Sequence, residues 1–259
     1  MSWLGLEGRC VVVTGATGGI GRALVAAFVG EGARVVLMDR DPAAAGAAAQ
    51  ELGGAMGLGC DMGDPAAVAA AARAVEAELG GADVLVNNAA ILRPGALETL
   101  AVADWEGMLR VNLTGYLVAA QEFGRAMIAR GEGALVHVAS IAGTQPQPAS
   151  GAYSPSKAAT LMLSRQLAQE WGPRGVRSNC VSPGLVRTPL SEAFYADPEV
   201  KARREGMVPL RRIATPQDMA DAALFLASPR ASYVTGQEIL VDGGLSQTLM
   251  GLVPRPGYA

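Results

Sequence analysis

Three side chains near the middle of the sequence have the types and the spacing that proton transfer requires. Tyr153 and Lys157 stand at positions i and i+4, so on a helix both project from one face. A free phenol has a pKa near ~10. A cation held beside it lowers that pKa, so Lys157 would make Tyr153 a general acid/base. Ser140, at the end of the apolar run ALVHVAS, would hold a substrate carbonyl or hydroxyl by hydrogen bonding.

A Tyr-x-x-x-Lys pair alone also fits unrelated surface residues, so the surrounding elements decide its meaning. Short apolar runs alternate with helical segments along the whole chain. This alternation predicts an α/β fold in which a doubly wound, seven-stranded parallel sheet carries helices on both faces, as a single Rossmann-type domain over residues 1–259. The predicted strands are 9–14, 33–39, 55–61, 83–88, 134–140, 176–182 and 237–244. Helices are predicted at 22–32, 42–52, 65–79, 151–171 and 215–228, with two more helical segments between 88 and 130, the second from about 104 to 130.

A glycine-rich turn, TGATGGIG at residues 14–21, lies between the first predicted strand and a helix. In that context a glycine turn indicates phosphate binding, because the backbone can approach a pyrophosphate and the helix N-terminus favours negative charge. A turn that serves packing only is the alternative. The cofactor residues predicted here are Gly15, Thr17, Gly18, Gly19, Ile20 and Gly21.

Acidic residues end the second and third predicted strands. Asp39 is at the distance from the turn where a carboxylate accepts hydrogen bonds from the adenosine ribose and repels a 2′-phosphate, which favours NAD. Arg40 is the counterargument, because an arginine there can hold that phosphate and admit NADP. Asp61, followed by Met62, is placed to meet the adenine.

Taken together, the glycine turn and the Ser-Tyr-Lys set resemble the short-chain dehydrogenase/reductase family over nearly the whole chain. The family's Asn-Asn-Ala-Gly motif appears as residues 87–90, with Ala90 replacing the final glycine. Its fourth catalytic residue matches Asn112 in VNLTG, its Pro-Gly segment matches residues 183–184, and its common C-terminal ending matches DGG at 242–244. Four such motifs in order are a specific signal.

The resemblance implies a role for each matched residue. Tyr153 is the acid/base, Lys157 lowers its pKa and binds the nicotinamide ribose, and Ser140 orients the substrate oxygen. Asn112 holds a water that links Lys157 to solvent. Cofactor contacts are implied for Asn88, Tyr153, Lys157, Pro183, Gly184, Val186 and Thr188. A homotetramer with helices 104–130 and 151–171 at an interface is implied as well.

Composition excludes several other classes. Half of the residues are apolar, which argues against disorder, and a net charge of −3 does not suit nucleic-acid binding. No apolar run is long enough for a membrane span, and no leader is visible, so a cytoplasmic protein is expected. Cys10, Cys60 and Cys180 are predicted to be buried free thiols. His137, the single histidine, has no metal-like partner nearby and is interpreted as structural, so no metal is expected.

The predicted function is NAD-dependent hydride transfer between a small-molecule secondary alcohol and nicotinamide. Gln145 and Gln147, between Ser140 and Tyr153, suggest a hydroxylated substrate such as a sugar or polyol. An NADPH-dependent 3-oxoacyl-thioester reductase is the alternative on the same scaffold. A dinucleotide-binding sensor without catalysis is a third, disfavoured by the complete catalytic set.

The stretch 185–212 is predicted to be irregular, and it includes Phe194, Tyr195 and Met207. Loops at the carboxyl ends of parallel strands form the ligand crevice in this fold class, so the stretch is interpreted as a lid over substrate. An oligomer contact is the alternative.

Overall fold

A computed structural model describes residues 3–189, 191–253 and 257, and its strands form one parallel sheet. The order of its seven strands is β3-β2-β1-β4-β5-β6-β7. The strands are β1 Cys10–Thr14, β2 Arg34–Asp39, β3 Met56–Gly59, β4 Val84–Asn87, β5 Gly133–Val138, β6 Val176–Pro183 and β7 Glu238–Val241. The helices are α1 Gly19–Gly30, α2 Pro42–Leu52, α3 Pro65–Leu79, α4 Val102–Leu109, α5 Gly115–Arg130, α6 Tyr153–Trp171, α7 Pro198–Met207 and α8 Pro216–Ala227. The predicted doubly wound fold is confirmed.

The central strands are buried on both faces. Every residue of β1, CVVVT, is inaccessible to solvent, which explains why its sequence is continuously apolar and β-branched. Val11 and Val13 pack with Leu24 and Phe28 of α1 on one face. Val12 packs into the cluster on the other face, which contains Val75 of α3, Phe123 of α5 and Leu167 of α6. Two apolar layers therefore hold the helices against the sheet.

The strand order reverses at β1 and β4, which are neighbours in the sheet although β2 and β3 lie between them in sequence. A crevice opens outside the carboxyl ends of the strands at such a reversal. The turn after β1 and the residues after β4 both lie there. The fold thus brings the glycine turn next to the Asn-Asn segment.

Several helices begin with a capping residue followed by proline. The side chains of Asp41, Asp64 and Asp197 accept hydrogen bonds from backbone N–H groups in the first turns of α2, α3 and α7. A proline occupies the first helical position in each case, where its missing N–H costs nothing. Thr215 and Pro216 begin α8 as predicted.

Two stretches differ from the sequence-based expectation. The first helical segment predicted after residue 88 is wrong, because residues 88–101 form a loop that Gly95 fastens to residue 149 by a backbone hydrogen bond of 3.0 Å. The stretch 185–212 is not irregular throughout, since α7 lies inside it. The Asp-Pro pair at 197–198 starts that helix, and its polar composition gives it no apolar stripe by which it could be recognised.

The helical segment predicted from 104 to 130 is present with one interruption. Residues Arg110–Thr114 form a single π turn between α4 and α5. Such wide turns inside helices are frequent at functional sites, and this one contains Asn112.

Candidate active site

The glycine turn after β1 is tightly packed against two neighbouring loops. Gly15 has a positive φ of 62°, and a Cβ on it would lie 2.7 Å from the Cα of Ala89. A Cβ on Gly21 would run into the carbonyl oxygen of Gly15. A Cβ on Gly19 would lie 2.9 Å from the Cβ of Thr188, in the loop after β6. Packing therefore requires glycine at these three positions.

Gly18 is different and provides the test of fit to a phosphate group. Its φ is −75°, and a Cβ there would meet nothing closer than the carbonyl oxygen of Gly15 at 3.5 Å. The fold alone would accept a larger residue at this position. Gly18 caps α1 without a side-chain acceptor, so the N–H groups of the first turn of α1, including that of Ile20, have no partner from the cap. Open space beside uncapped N–H groups fits the pyrophosphate of a dinucleotide.

Asp39 is fixed at the end of β2 and points toward the glycine turn. Its Oδ2 accepts hydrogen bonds from the Thr17 hydroxyl at 2.6 Å and from the Thr17 N–H at 3.0 Å. Its Oδ1 accepts from the Arg40 N–H at 2.8 Å. The Arg40 side chain is exposed beside it. Asp39 thus lies beside the glycine turn, held by a threonine whose link to it the sequence did not indicate, and its binding of the ribose stays a prediction.

Asp61 and Met62 follow β3 and differ in character. Asp61 is exposed, and its Oδ1 accepts a hydrogen bond from the Gly63 N–H at 2.8 Å. The Met62 side chain is buried in the apolar cluster that includes Phe123. Of this pair, only Asp61 therefore presents a side chain to solvent.

Asn88 braces the glycine turn from the end of β4. Its Nδ2 donates to the carbonyl oxygens of Thr14 at 2.9 Å and Gly15 at 3.0 Å, and its backbone N–H donates to the Thr14 hydroxyl at 3.0 Å. These bonds place it at the crevice and occupy its amide donors. The exposed Ala90, where the family has glycine, leaves this arrangement intact.

The four predicted catalytic residues converge at the carboxyl end of β5. The Ser140 hydroxyl accepts a hydrogen bond from the Ala142 N–H at 3.1 Å, which holds the short turn after the strand. Tyr153 begins α6, and Lys157 lies one turn later with its Nζ 5.7 Å from the centroid of the Tyr153 ring. Lys157 is 1% exposed, and its Nζ donates to the Val138 carbonyl at 2.7 Å.

Asn112 joins this group from the π turn. Its Oδ1 accepts from the Ile91 N–H at 2.8 Å, and its Nδ2 donates to the Ile91 carbonyl at 2.9 Å and to the Ser156 hydroxyl at 3.2 Å. Its own carbonyl accepts from the Thr160 hydroxyl at 3.3 Å. Asn112 therefore ties the loop after β4 to the helix that carries Tyr153 and Lys157.

The electrostatics of the pair correct one expectation. Desolvation raises the pKa of the Tyr153 phenol above its ordinary value, and the hydrogen bond with Ser140 lowers it only in part. Burial lowers the pKa of Lys157 to about 8. Desolvation therefore outweighs, in this geometry, the lowering of the Tyr153 pKa that the sequence predicts from Lys157, whose ammonium donates to the Val138 carbonyl.

The remaining predicted residues lie in the segment after β6 and in the loop that precedes α6. Gly184 packs against Asp242, where a Cβ would lie 2.6 Å from the aspartate Cβ, and Val186 is buried and pairs with Ala214. The Thr188 N–H donates to the Ser191 hydroxyl at 2.9 Å. Gln145 and Gln147 are exposed on the loop that precedes α6.

The predicted lid carries an aromatic cluster. The Arg204 guanidinium of α7 lies 5.0 Å from the centroid of the exposed Phe194 ring and 5.1 Å from that of the buried Tyr195 ring. Met207, at the end of α7, is exposed. The stretch has a defined internal packing, and its function as a lid stays a prediction.

His137 and Tyr116 form a buried polar layer beneath the catalytic group. Asn87 Nδ2 lies 3.2 Å from His137 Nδ1, and Ser178 Oγ lies 3.2 Å from His137 Nε2. The Tyr116 ring stacks on the histidine at 5.9 Å between centroids. The structural interpretation of His137 is confirmed. Tyr116 was not singled out from the sequence, and its spacing of one helical turn from Asn112 was the available signal.

Within the described residues, no group of three or more histidine, cysteine or acidic side chains is arranged to hold a metal ion. The three cysteines are buried free thiols, as predicted. No helix in the part of the chain that the structure describes has both the length and the apolar character needed to cross a membrane.

Known proteins resemble this chain over nearly its full length. The family model for enoyl-(acyl carrier protein) reductases matches residues 15–246. Galactitol 2-dehydrogenase (L-tagatose-forming) of Cereibacter sphaeroides is 46% identical over 92% of this chain and 95% of that protein. D-threitol dehydrogenase of Mycolicibacterium smegmatis is 40% identical over 92% of this chain and 93% of that protein. The structure of a gluconate 5-dehydrogenase from Burkholderia cenocepacia in complex with NADP and tartrate has a TM-score of 0.89 and 34% identity, covering 93% of this chain and 96% of that one.

The chain belongs to the short-chain dehydrogenase/reductase family. It is a nicotinamide-dependent oxidoreductase that acts on CH–OH groups.

The buried histidine gives a pH-dependent stability. Burial, together with the nearby Lys157 charge, lowers the pKa of His137 from 6.5 to about 3. Below pH 6.5 the histidine of the unfolded chain binds a proton, whereas that of the folded chain stays neutral down to about pH 3. The contribution of His137 to the free energy of unfolding is therefore fully present above pH 6.5 and is lost as the pH falls below that value. At pH 4.5 we expect a loss of about 2–3 kcal/mol from this residue. Urea unfolding at pH 7 and 4.5 measures it, with His137→Asn as the control that loses less; equal losses in both proteins would contradict the assignment.

Proposed function

We propose that the protein oxidises a secondary hydroxyl group of a sugar or polyol with NAD as the hydride acceptor. The observation that carries the proposal is the convergence of Ser140, Tyr153 and the buried Lys157 beside a glycine turn that fits a dinucleotide. The two named polyol dehydrogenases, 46% and 40% identical to this chain, support the substrate class. The exposed amides of Gln145 and Gln147 suit a hydroxylated compound, since they can bond several hydroxyls.

Each catalytic side chain has one task in this reaction. The Ser140 hydroxyl, at the end of β5, orients the substrate hydroxyl. Tyr153, at the crevice, accepts the hydroxyl proton as the general base. Bound nicotinamide supplies the carbon that takes up the hydride. Lys157 stabilises the phenolate that the proton transfer requires, because positive charge nearby favours the ionised phenol.

The raised pKa of Tyr153 indicates how the acid/base is controlled. A phenol in this geometry keeps its proton at neutral pH, so Tyr153 is poised as a donor. To act as a base it needs more positive charge or more hydrogen bonds than Ser140 alone provides. We propose that Lys157 supplies them after a small change of its side chain, together with a water held at the Asn112 carbonyl that leads protons to solvent. Hydride transfer and proton uptake are thereby linked in one site.

Replacing Tyr153 tests the acid/base assignment. Tyr153→Phe removes the hydroxyl and keeps the ring, so we expect NADH binding to persist while kcat falls by at least about 100-fold, as for the loss of a general base. The assay is NADH appearance with galactitol, threitol, gluconate and simple secondary alcohols. Binding of NADH by fluorescence is the control for an intact site. A variant that retains most of the activity would rule out Tyr153 as the base.

The choice between NAD and NADP rests on Asp39 and Arg40. The Asp39 carboxylate faces the glycine turn, and its negative charge would repel the 2′-phosphate of an NADP bound there. Arg40 is exposed and is free of any ion pair among the described residues. We therefore propose a preference for NAD, with NADP as the weaker cofactor.

Two variants separate these contributions. Asp39→Asn removes the repulsion and should shift the ratio of kcat/KM for NAD to that for NADP toward NADP by about tenfold or more. Arg40→Ala should leave the NAD reaction unchanged and weaken NADP use further. A wild-type protein that uses NADP alone, and loses it in Arg40→Ala, would reverse the assignment.

The second candidate is an NADPH-dependent reductase of 3-oxoacyl thioesters. A 3-oxoacyl-[acyl-carrier-protein] reductase of Vibrio cholerae, 32% identical over 93% of this chain, supports this candidate. That candidate predicts activity on an acyl thioester with NADPH and none on polyols with NAD. The polyol assay above, run beside NADPH oxidation with a 3-oxoacyl thioester, therefore decides between the two.

We also propose that the protein assembles as a homotetramer through α4–α5 and α6. Leu117 of α5 and Met162 of α6 are exposed apolar residues on these helices, consistent with a covered face. A monomer mass in light scattering would refute the proposal. The cytoplasmic location stays a prediction.

A further inference from the structure

The ammonium of Lys157 lies between two phenol rings. Its Nζ is 5.4 Å from the centroid of the Tyr116 ring and 5.7 Å from that of Tyr153. Tyr116 comes from α5, so the two rings approach the lysine from different helices. Tyr116 itself is fully buried, whereas Tyr153 is half-buried.

A single hydrogen bond from the Lys157 ammonium among the described residues leaves its charge poorly solvated. Lys157 has three N–H donors, and Val138 provides a carbonyl acceptor at 2.7 Å. The Tyr116 hydroxyl donates to the same carbonyl at 3.4 Å, so it shares the acceptor and offers the ammonium no extra one. What Tyr116 does offer is its ring face, whose negative π cloud attracts a cation.

The position of the ring is itself fixed. Tyr116 stacks on His137 at 5.9 Å with an interplanar angle of 24°, and His137 is held by Asn87 and Ser178. Tyr116 also follows the π turn by two residues, and that turn is anchored through Asn112. The ring therefore cannot move away from the lysine without disturbing two hydrogen-bonded groups.

We propose that Tyr116 is a positioning residue for the reaction: its ring face holds the Lys157 ammonium in its charged form beneath Tyr153. The proposal rests on the proposed roles of Tyr153 and Lys157. It assigns the effect to the π face and not to the hydroxyl. Without this face, Lys157 would release its proton more readily and support the Tyr153 phenolate less.

Other groups around the ammonium do not supply this stabilisation. The neighbouring titratable groups are Tyr153 on α6, His137 on β5 and Cys180 on β6. His137 is neutral at neutral pH, because burial and the Lys157 charge lower its pKa to about 3. Cys180 is a neutral thiol there, because burial raises its pKa to about 12. The ring of Tyr116 therefore faces a cation with no buried counter-anion near neutral pH among these groups.

The sequence makes a direct test convenient, because Lys157 and Lys201 are its two lysines. In protein labelled with 13C at the lysine Cε, NMR follows the titration of both amines without cofactor or substrate. Lys201 is on α7, with 42% of its side chain exposed, and serves as the internal reference. We expect the Lys157 pKa near 8 in the wild type, below the ordinary value of a lysine.

The decisive pair of variants has the same shape at position 116. One is Tyr116→Phe, which keeps the ring face, and the other is the same phenylalanine with all five ring hydrogens replaced by fluorine, which reverses the charge of the face. We expect Tyr116→Phe to titrate Lys157 like the wild type and the fluorinated ring to lower the Lys157 pKa by about half a unit or more. Tyr116→Leu should move it in the same direction. Lys201 should not move in any of them.

A matched control lies two turns further along the same helix. Phe123 is 3% exposed and packs in the core cluster under the sheet. Phe123→Leu should lower the melting temperature and leave the Lys157 pKa unchanged. This result would separate a general loss of packing from the proposed effect of the Tyr116 ring. The acid limb of kcat/KM for alcohol oxidation should move to higher pH in the fluorinated variant and not in Phe123→Leu.

Three results would overturn the proposal. They are an unchanged Lys157 titration in the fluorinated variant, a shift in Tyr116→Phe as large as that in the fluorinated variant, and an equal shift in Phe123→Leu. None of them depends on turnover. Failure of the proposed function would instead appear as an active Tyr153→Phe protein, so the two failures are distinguishable.

Discussion

The structure of the site depends on one buried charge. Lys157 lies where solvent does not reach, and an ammonium there is costly unless polar groups surround it. The carbonyl at the end of β5 accepts a hydrogen bond from this ammonium, and the rings of Tyr116 and Tyr153 lie 5.4 and 5.7 Å from it. Strand β5 and helices α5 and α6 must therefore meet at this point, and the positions of Ser140 and Asn112 follow from that junction.

The doubly wound sheet supplies the second requirement, a crevice next to the charge. The reversal between β1 and β4 opens the crevice, and glycines let its walls approach one another. Gly15 and Gly21 are needed because backbone atoms occupy the space of a side chain. Gly18 is not needed by the fold, and the open space beside it fits a phosphate group.

Much of the fold and of the candidate site was predictable, because short stretches of sequence indicate the individual strands and helices. Buried parallel strands read as apolar β-branched runs, and Asp-Pro and Thr-Pro pairs mark helix starts. Residues at the carboxyl ends of the strands can be located from the sequence, so the positions of Asp39 and Ser140 are predictable. Contacts between distant segments have no such signal. The link between Thr17 and Asp39, the bracing of the turn by Asn88, and the ring of Tyr116 beneath Lys157 depend on how helices pack across the sheet.

The pKa of Tyr153 also could not be predicted from the sequence, because it depends on three-dimensional surroundings. The residue types alone suggest a phenol acidified by lysine, whereas the geometry makes burial the larger effect. Helix α7 was hidden for a related reason, since a polar helix on the surface has no apolar stripe. Local composition thus predicts which groups are present, and the balance among them depends on distances of a few ångströms.

The central claim is that the buried ammonium enables Tyr153 to transfer a proton, and Lys157→Met tests it most directly. Methionine fills a similar volume without charge, so the fold should persist. We predict that kcat/KM for polyol oxidation with NAD falls by at least about 100-fold at neutral pH, while the melting temperature stays within a few degrees of that of the wild type. A folded Lys157→Met protein that oxidises the polyol within a few-fold of the wild-type rate would contradict the account.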